Sequence, residues 1–169
     1  MEEKCCITMD RGILWKSIMT IFMKVCFLIR CNYQAKRYNI KGKQYLSTNE
    51  KYYLADPGLR YYLLGEKGVD QGHILENVVY LELLRRGYQV YVGTIPNGEV
   101  DFVAMNQGEI EYYQVSATVM DSVTLERELA PFQKIRDQYP KYLLTFDILG
   151  AGTSHDGIRQ LNVLEWLLE

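Results

Sequence analysis

The segment from Gly72 to Asp147 holds the most restrictive pattern in the chain: a helix apolar almost all the way round, then strand-forming runs punctuated by two-residue turns. Gly72–Arg86 carries Ile74, Leu75, Val78, Val79, Leu81, Leu83 and Leu84, and Gly87 follows in the position where a left-handed residue ends a helix. A helix with so little polar face must be deeply packed. Tyr88–Ile95 and Glu99–Met105 flank Asn97-Gly98, a strong hairpin signal. Glu99–Met105 and Ile110–Ala117 flank Gln107-Gly108, a second tight turn. Asp121 suits the N-cap of a further helix running to about Asp137, with a kink at Pro131. Lys141–Asp147 is a near-continuous apolar run, as expected of a strand covered on both faces. A glycine-rich loop from Gly150 to Gly157 and a short helix from about Val163 close the chain. The order helix, three antiparallel strands, helix, strand implies the α/β class, with a mixed β-sheet flanked by helices on both faces.

The composition agrees with a packed domain. The 169 residues are 48% hydrophobic and 24% charged, which excludes wholesale disorder. The net charge of −2 conceals an asymmetry: residues 1–51 hold ten Lys/Arg against four Asp/Glu, and residues 52–169 hold nine against seventeen. Cys5, Cys6, Cys26 and Cys31 match no zinc spacing and read as free thiols of a reducing, cytoplasmic environment. The apolar stretch Ile13–Ile29 is interrupted by Lys16 and Lys24, so an amphipathic helix is expected there and no membrane span.

The front of the chain reads as a separate piece. Leu14, Ile18, Phe22 and Val25 recur at helical spacing, and Phe27–Tyr53 reads as short strands and turns around Lys41-Gly42-Lys43. A helix followed by a basic β-hairpin resembles a winged-helix remnant, giving an expected division into residues 1–54 and 55–169. Asp56-Pro57 opens a short helix to about Leu64. Arg30, Lys36, Arg37, Lys41, Lys43 and Lys51 are interleaved with Tyr33, Tyr38 and Tyr45, a footprint suited to the phosphates of DNA.

The candidate chemistry lies in the strands. If Gln107-Gly108 is a two-residue loop, Asp101 faces Gln114 and Glu99 faces Ser116. Asp101, Gln114 and Ser116 then share one face in a sheet otherwise rich in Tyr, Val and Phe. Glu76 points along an apolar side of its helix, with Val79, Tyr80 and Leu83 as neighbours. It is either a functional carboxylate or an acid favoured by the helix dipole. Glu82 has Arg85 and Arg86 within reach and reads as an ordinary ion pair. Ser154-His155-Asp156 contains triad residue types, but adjacent residues do not form a relay.

The segments KYYLADPGLRYYLLG (Lys51–Gly65), GHILENVVYLELLRRGYQVYVG (Gly72–Gly93), GEVDFVA (Gly98–Ala104), YYQVSATV (Tyr112–Val119) and YPKYLLTFD (Tyr139–Asp147) carry a family resemblance. From about Phe27 onward the chain resembles domain of unknown function 4143, found behind an AAA-type ATPase module in bacterial and archaeal proteins. That family looks like a member of the PD-(D/E)XK nuclease-like fold. In active nucleases of that fold a helix Glu, a strand Asp and a Glu-x-Lys surround one or two divalent ions. The resemblance places Glu76 and Asp101 in the acidic positions and Gln114-Val115-Ser116 in place of Glu-x-Lys. Glu76, Asp101 and Gln114 are thus the candidate Mg2+ or Mn2+ ligands of a degenerate catalytic set completed by Ser116. Gln is a poorer ligand than a carboxylate for a hard cation, and Ser has neither the charge nor the reach of Lys. Arg127 and Lys134 on the next helix are the nearest substitutes.

No phosphate-binding loop matches in this sequence, so an ATPase partner is expected in trans and the chain reads as a stand-alone or truncated C-terminal piece. Three functions follow. The foremost is a non-catalytic accessory module binding nucleic acid or a protein partner, with no certain cofactor. The others are a metal-dependent nuclease and a structural module that assembles with the ATPase.

Overall fold

The computed structural model describes residues 32–56, 58 and 71–169. The chain divides into two compact units, Met1–Tyr33 with Leu54–Val69 and Gln34–Tyr53 with Asp70–Glu169. Most of the first lies outside the described residues, including the expected helix from Ile13, the four cysteines, Arg30, and the expected helix beyond Gly58.

Eight strands form one sheet: β1 (Asn32–Asn39), β2 (Gln44–Leu54), β3 (Gln89–Ile95), β4 (Gly98–Asn106), β5 (Glu109–Val115), β6 (Lys141–Thr145), β7 (Ser154–His155) and β8 (Ile158–Asn162). Their order is β2-β1-β3-β4-β5-β6-β8-β7. The pairs β3–β4 and β4–β5 are antiparallel, whereas β1–β3, β5–β6 and β6–β8 are parallel. Three described helices accompany them: α1 (Gln71–Arg85), α2 (Ser122–Gln133) and α3 (Val163–Leu168).

The sheet is covered on both faces. Leu75, Val79 and Leu83 of α1 and Val163 and Trp166 of α3 join Val92, Phe102 and Leu144 in one core. Phe132 of α2 joins Val100, Val103, Tyr112 and Leu143 in the other. The expected mixed sheet flanked by helices is therefore present.

The ends of α1 and α2 follow from local chemistry. Gly87, at φ +85°, lets the Tyr88 amide donate to the Leu83 carbonyl and the Gly87 amide to that of Leu84, satisfying the last carbonyls of α1. Asp121 accepts from the Thr124 amide at 3.0 Å and caps α2. That helix ends at Gln133 instead of reaching Asp137. Pro131 has no amide to donate, and the amides of Lys134 and Ile135 fold back to Pro131 and Phe132, dropping Ile135 into the core.

Three sequence expectations change. The basic segment joins the body: Arg37–Asn39 pairs in parallel with Val92–Thr94, so a boundary after residue 54 does not separate this hairpin from the sheet. The β3–β4 loop is Pro96-Asn97, with Gly98 already paired to Ile95, because Asn97 takes the left-handed turn conformation at φ 56°. The expected loop from Gly150 to Gly157 contains β7, and β8 follows it, parallel to β6. Gln160 and Asn162 occupy buried positions on β8, so its inward face does not read as apolar.

The register of β4 against β5 is the expected one, from Asn106↔Glu109 to Phe102↔Tyr113. Beyond it lies a feature invisible in the sequence. Tyr91 and Gly93 of β3 pair with Val103 and Val100 of β4, so β4 holds one extra residue opposite Val92. Asp101 and Phe102 form this β-bulge, which bends the strand and re-aims a side chain. Val100 and Val103 consequently serve one core and Phe102 the other.

Candidate functional site

The bulge sets Asp101 beside α1. Its Oδ2 accepts a hydrogen bond from the Val115 amide at 2.9 Å, taking the place of a ladder carbonyl. Its own amide donates to Gln114 Oε1 at 3.3 Å. The Asp101 carboxyl is pushed up to about 7, first by burial and then by the Glu76 charge, while Lys51 and the Val115 amide pull it down.

Glu76 is buried on the sheet-facing side of α1. Its Oε1 accepts from the Tyr53 hydroxyl at 2.5 Å and from Lys51 Nζ at 3.1 Å, and its Oε2 lies 3.6 Å from His73 Nδ1. Tyr53 is itself fixed by stacking on Tyr80, ring centres 4.1 Å apart, with Phe102 across both rings. Burial, followed by the Glu76 charge, drives the Tyr53 hydroxyl far above its ordinary value, so it remains a donor.

Lys51 joins the two acidic elements. Its Nζ lies 3.1 Å from Glu76 Oε1 and 2.9 Å from Glu99 Oε1, and Arg37 completes Glu99 from the other side. Burial opposes the Lys51 charge, but Glu76, Glu99 and Asp101 outweigh it and raise its pKa. Burial also opposes the Glu99 charge, and Lys51 with Arg37 reverses that, holding the carboxyl below its usual range.

Asp101 lies within reach of the Glu76 charge on one side and has Gln114 as a neighbour on the other, and each of the three side chains already holds a partner within the protein. Gln114 turns its Nε2 to Glu128 Oε2 at 2.9 Å, and Glu128 in turn holds Arg127. Ser116 leaves the group: its hydroxyl donates to the Thr118 carbonyl at 3.1 Å. Arg127 therefore reaches the cluster only through Glu128, and Lys134 points to the carbonyls of Pro96 and Asn97. Among the described residues no three His, Cys, Asp or Glu groups are arranged to hold a metal ion. The donor set explains why: an ammonium bridges Glu76 and Glu99, the Val115 amide takes Asp101 Oδ2, and Gln114 Oε1 accepts from the Asp101 amide. The residues as placed do not fit a divalent ion.

Lys51 and Tyr53 were legible as an alternating pair on one strand face. Their meeting with Glu76 depends on the strand's docking beside α1. His155, the middle member of the triad-like run, lies 3.1 Å from Gln160 and 3.3 Å from Thr153 in a turn where Asp156 has φ 51°.

The basic residues separate into two groups. Arg37 and Lys51, expected at a nucleic-acid surface, are committed to Glu99 and Glu76. Lys36, Lys41 and Lys43 remain exposed, and none makes an ion pair among the described residues. Lys41 and Lys43 meet Lys134 and Arg136 around a cleft of about 600 Å³ floored by Ile40, Ile95 and Ile135. The acid in its wall, Asp137, accepts from the Tyr112 hydroxyl at 2.7 Å and lies 3.6 Å from Lys141 Nζ. The cleft is therefore strongly cationic. Lys134 and Arg136 could not be assigned to it from sequence, because the turn of the chain after Pro131 brings them there.

No protein-family model matches this chain, and no solved structure matches it. It is similar to an uncharacterized protein of Haemophilus influenzae, 42% identical over 137 residues, or 81% of this chain and 33% of the relative. The chain thus spans about a third of the length of the curated relative it matches. No described helix is long and apolar enough to cross a membrane.

Proposed function

We propose that this domain is a non-catalytic nucleic-acid-binding module on a PD-(D/E)XK nuclease-like core, serving an AAA-type ATPase in the same protein or in trans. The observation that carries the reading is the cleft where Lys41, Lys43, Lys134 and Arg136 converge from separate elements. Four cations around one concave surface suit successive phosphates, whose release of counterions drives binding. The state of the acidic site supports the non-catalytic half. A tethered ammonium neutralises Glu76 and Glu99, and no Lys stands at the Ser116 position.

Binding of labelled DNA across a salt series tests the reading. Four phosphate contacts give a log–log slope of about −3 to −4, and removing Lys41 and Lys43 together makes it shallower by about 2. An affinity indifferent to salt and to these two replacements overturns it. Cleavage of DNA in manganese that Asp101→Ala abolishes would instead establish the metal-dependent nuclease and remove the non-catalytic reading.

A further inference from the structure

The face of the sheet that carries α2 is not uniform. Over β1, β2 and β3 it presents three tyrosines in mutual contact: Tyr38 and Tyr45 with ring centres 5.5 Å apart, Tyr45 and Tyr91 at 5.1 Å, and Tyr38 and Tyr91 at 6.2 Å. Tyr38 is buried and Tyr91 partly so, but Tyr45 is 61% exposed. An exposed phenol ring braced by two others has little freedom left to lose when something stacks on it.

The ring also stands where charge is available. Tyr45 follows Lys43 by two residues, at the start of β2 just beyond the basic turn. Lys36 is exposed on β1 and, by strand alternation, shares the face of Tyr38 and of Ile40, which floors the cationic cleft. An aromatic shelf, a basic turn and a basic cleft are therefore continuous on one surface.

We infer that this surface takes a single-stranded polynucleotide, with one base stacked on Tyr45 and the adjoining phosphates on Lys41, Lys43, Lys134 and Arg136. The inference rests on the nucleic-acid-binding reading above and narrows it. A duplex hides the faces of its bases between neighbours and offers phosphates and groove edges, so it has no use for an exposed ring. A single strand offers a π-face at every base, and a ring beside a cationic track is the arrangement that binds it with little regard to sequence.

Fluorescence anisotropy of a labelled oligothymidine, with the matching duplex, thymidine monophosphate and inorganic polyphosphate as competitors, tests this. The single strand is expected to bind at least tenfold more tightly than the duplex. Tyr45→Ala should cost the single strand roughly tenfold, while Tyr45→Phe, which keeps the ring, stays within about twofold. Thymidine monophosphate should compete weakly, and polyphosphate should displace the strand without any dependence on Tyr45. Circular dichroism of both variants confirms an intact fold. Equal binding of duplex and single strand, or a Tyr45→Ala variant with parent affinity, overturns the single-strand inference and leaves the phosphate-binding reading standing. Failure of every polynucleotide to bind overturns both.

Discussion

Lys51 Nζ sits 3.1 Å from the buried carboxylate of Glu76 and tethers it to the sheet. The carboxylate that a divalent ion would need is thus occupied by the protein's own ammonium. Its contacts tie β2, α1 and β4 together through Glu76 and Glu99.

Replacing Lys51 by Met strands that carboxylate. Breaking a fully buried pair costs about 3–5 kcal/mol. Lys51 keeps 31% of its side chain exposed, so solvent screening reduces the expected loss to about 1–3 kcal/mol. Urea unfolding measures it, and Lys51→Met combined with Glu76→Gln should recover part of the loss. A single variant as stable as the parent would show the pair to be energetically idle.

Asp101 makes the folded state sensitive to pH. Its carboxyl, ordinarily near 3.8, is pushed up to about 7 by burial first, then by Glu76, with Glu128 adding and Lys51 and the Val115 amide opposing. A carboxyl that holds its proton more tightly folded than unfolded contributes stability in acid. That contribution is present below about pH 4 and lost as the pH rises toward about 7. Glu99, held low by Lys51 and Arg37 against the cost of its burial, runs the other way and loses its contribution on acidification. Asp101→Asn is expected to flatten the decline between those two pH values, measured as urea midpoints across a pH series. Parallel curves for parent and variant would contradict the assignment.

Two glycines should fail for different reasons. An alanine Cβ at Gly93 would lie 2.9 Å from Ile40 Cδ1 and from Val103 Cγ2, and 3.1 Å from Val100 Cβ, beside the bulge. Overpacking of that kind costs about 1–3 kcal/mol. At Gly87 nothing lies within 4 Å, and the cost of Gly87→Ala is the left-handed backbone at φ +85°, about 1 kcal/mol. Calorimetric melting of the two variants checks both.

Asp121→Ala removes the side-chain acceptor at the start of α2 and is expected to cost about 1 kcal/mol, whereas Asp121→Asn keeps an oxygen there and most of the stability. Thermal melting followed by circular dichroism distinguishes the two.

Much of the architecture could be read from local patterns. The apolar residues of α1, Gly87 beyond it, and the turn at Gln107-Gly108 predict a helix and a hairpin in their observed places, and the hairpin's register puts Asp101 next to Gln114. Strand β8 escaped because Gln160 and Asn162 are buried through hydrogen bonds to His155, Phe146 and Asp147, which apolar periodicity cannot reveal. Lys51 was misplaced for a related reason. A lysine in a basic stretch resembles a phosphate contact until the strand carrying it is docked against an acid distant in sequence.

The sequence by itself determined most of the element types up to β6, the β4–β5 register and the residues able to do chemistry, because these depend on side-chain periodicity and on backbone preferences within a few residues. The tertiary structure alone decided what those residues do. The extra residue at Asp101–Phe102, the docking of Lys51 and Tyr53 on Glu76, and the meeting of Lys41 and Lys43 with Lys134 and Arg136 all join segments far apart in the chain. Such contacts arise from packing the whole sheet at once, and no local pattern encodes them.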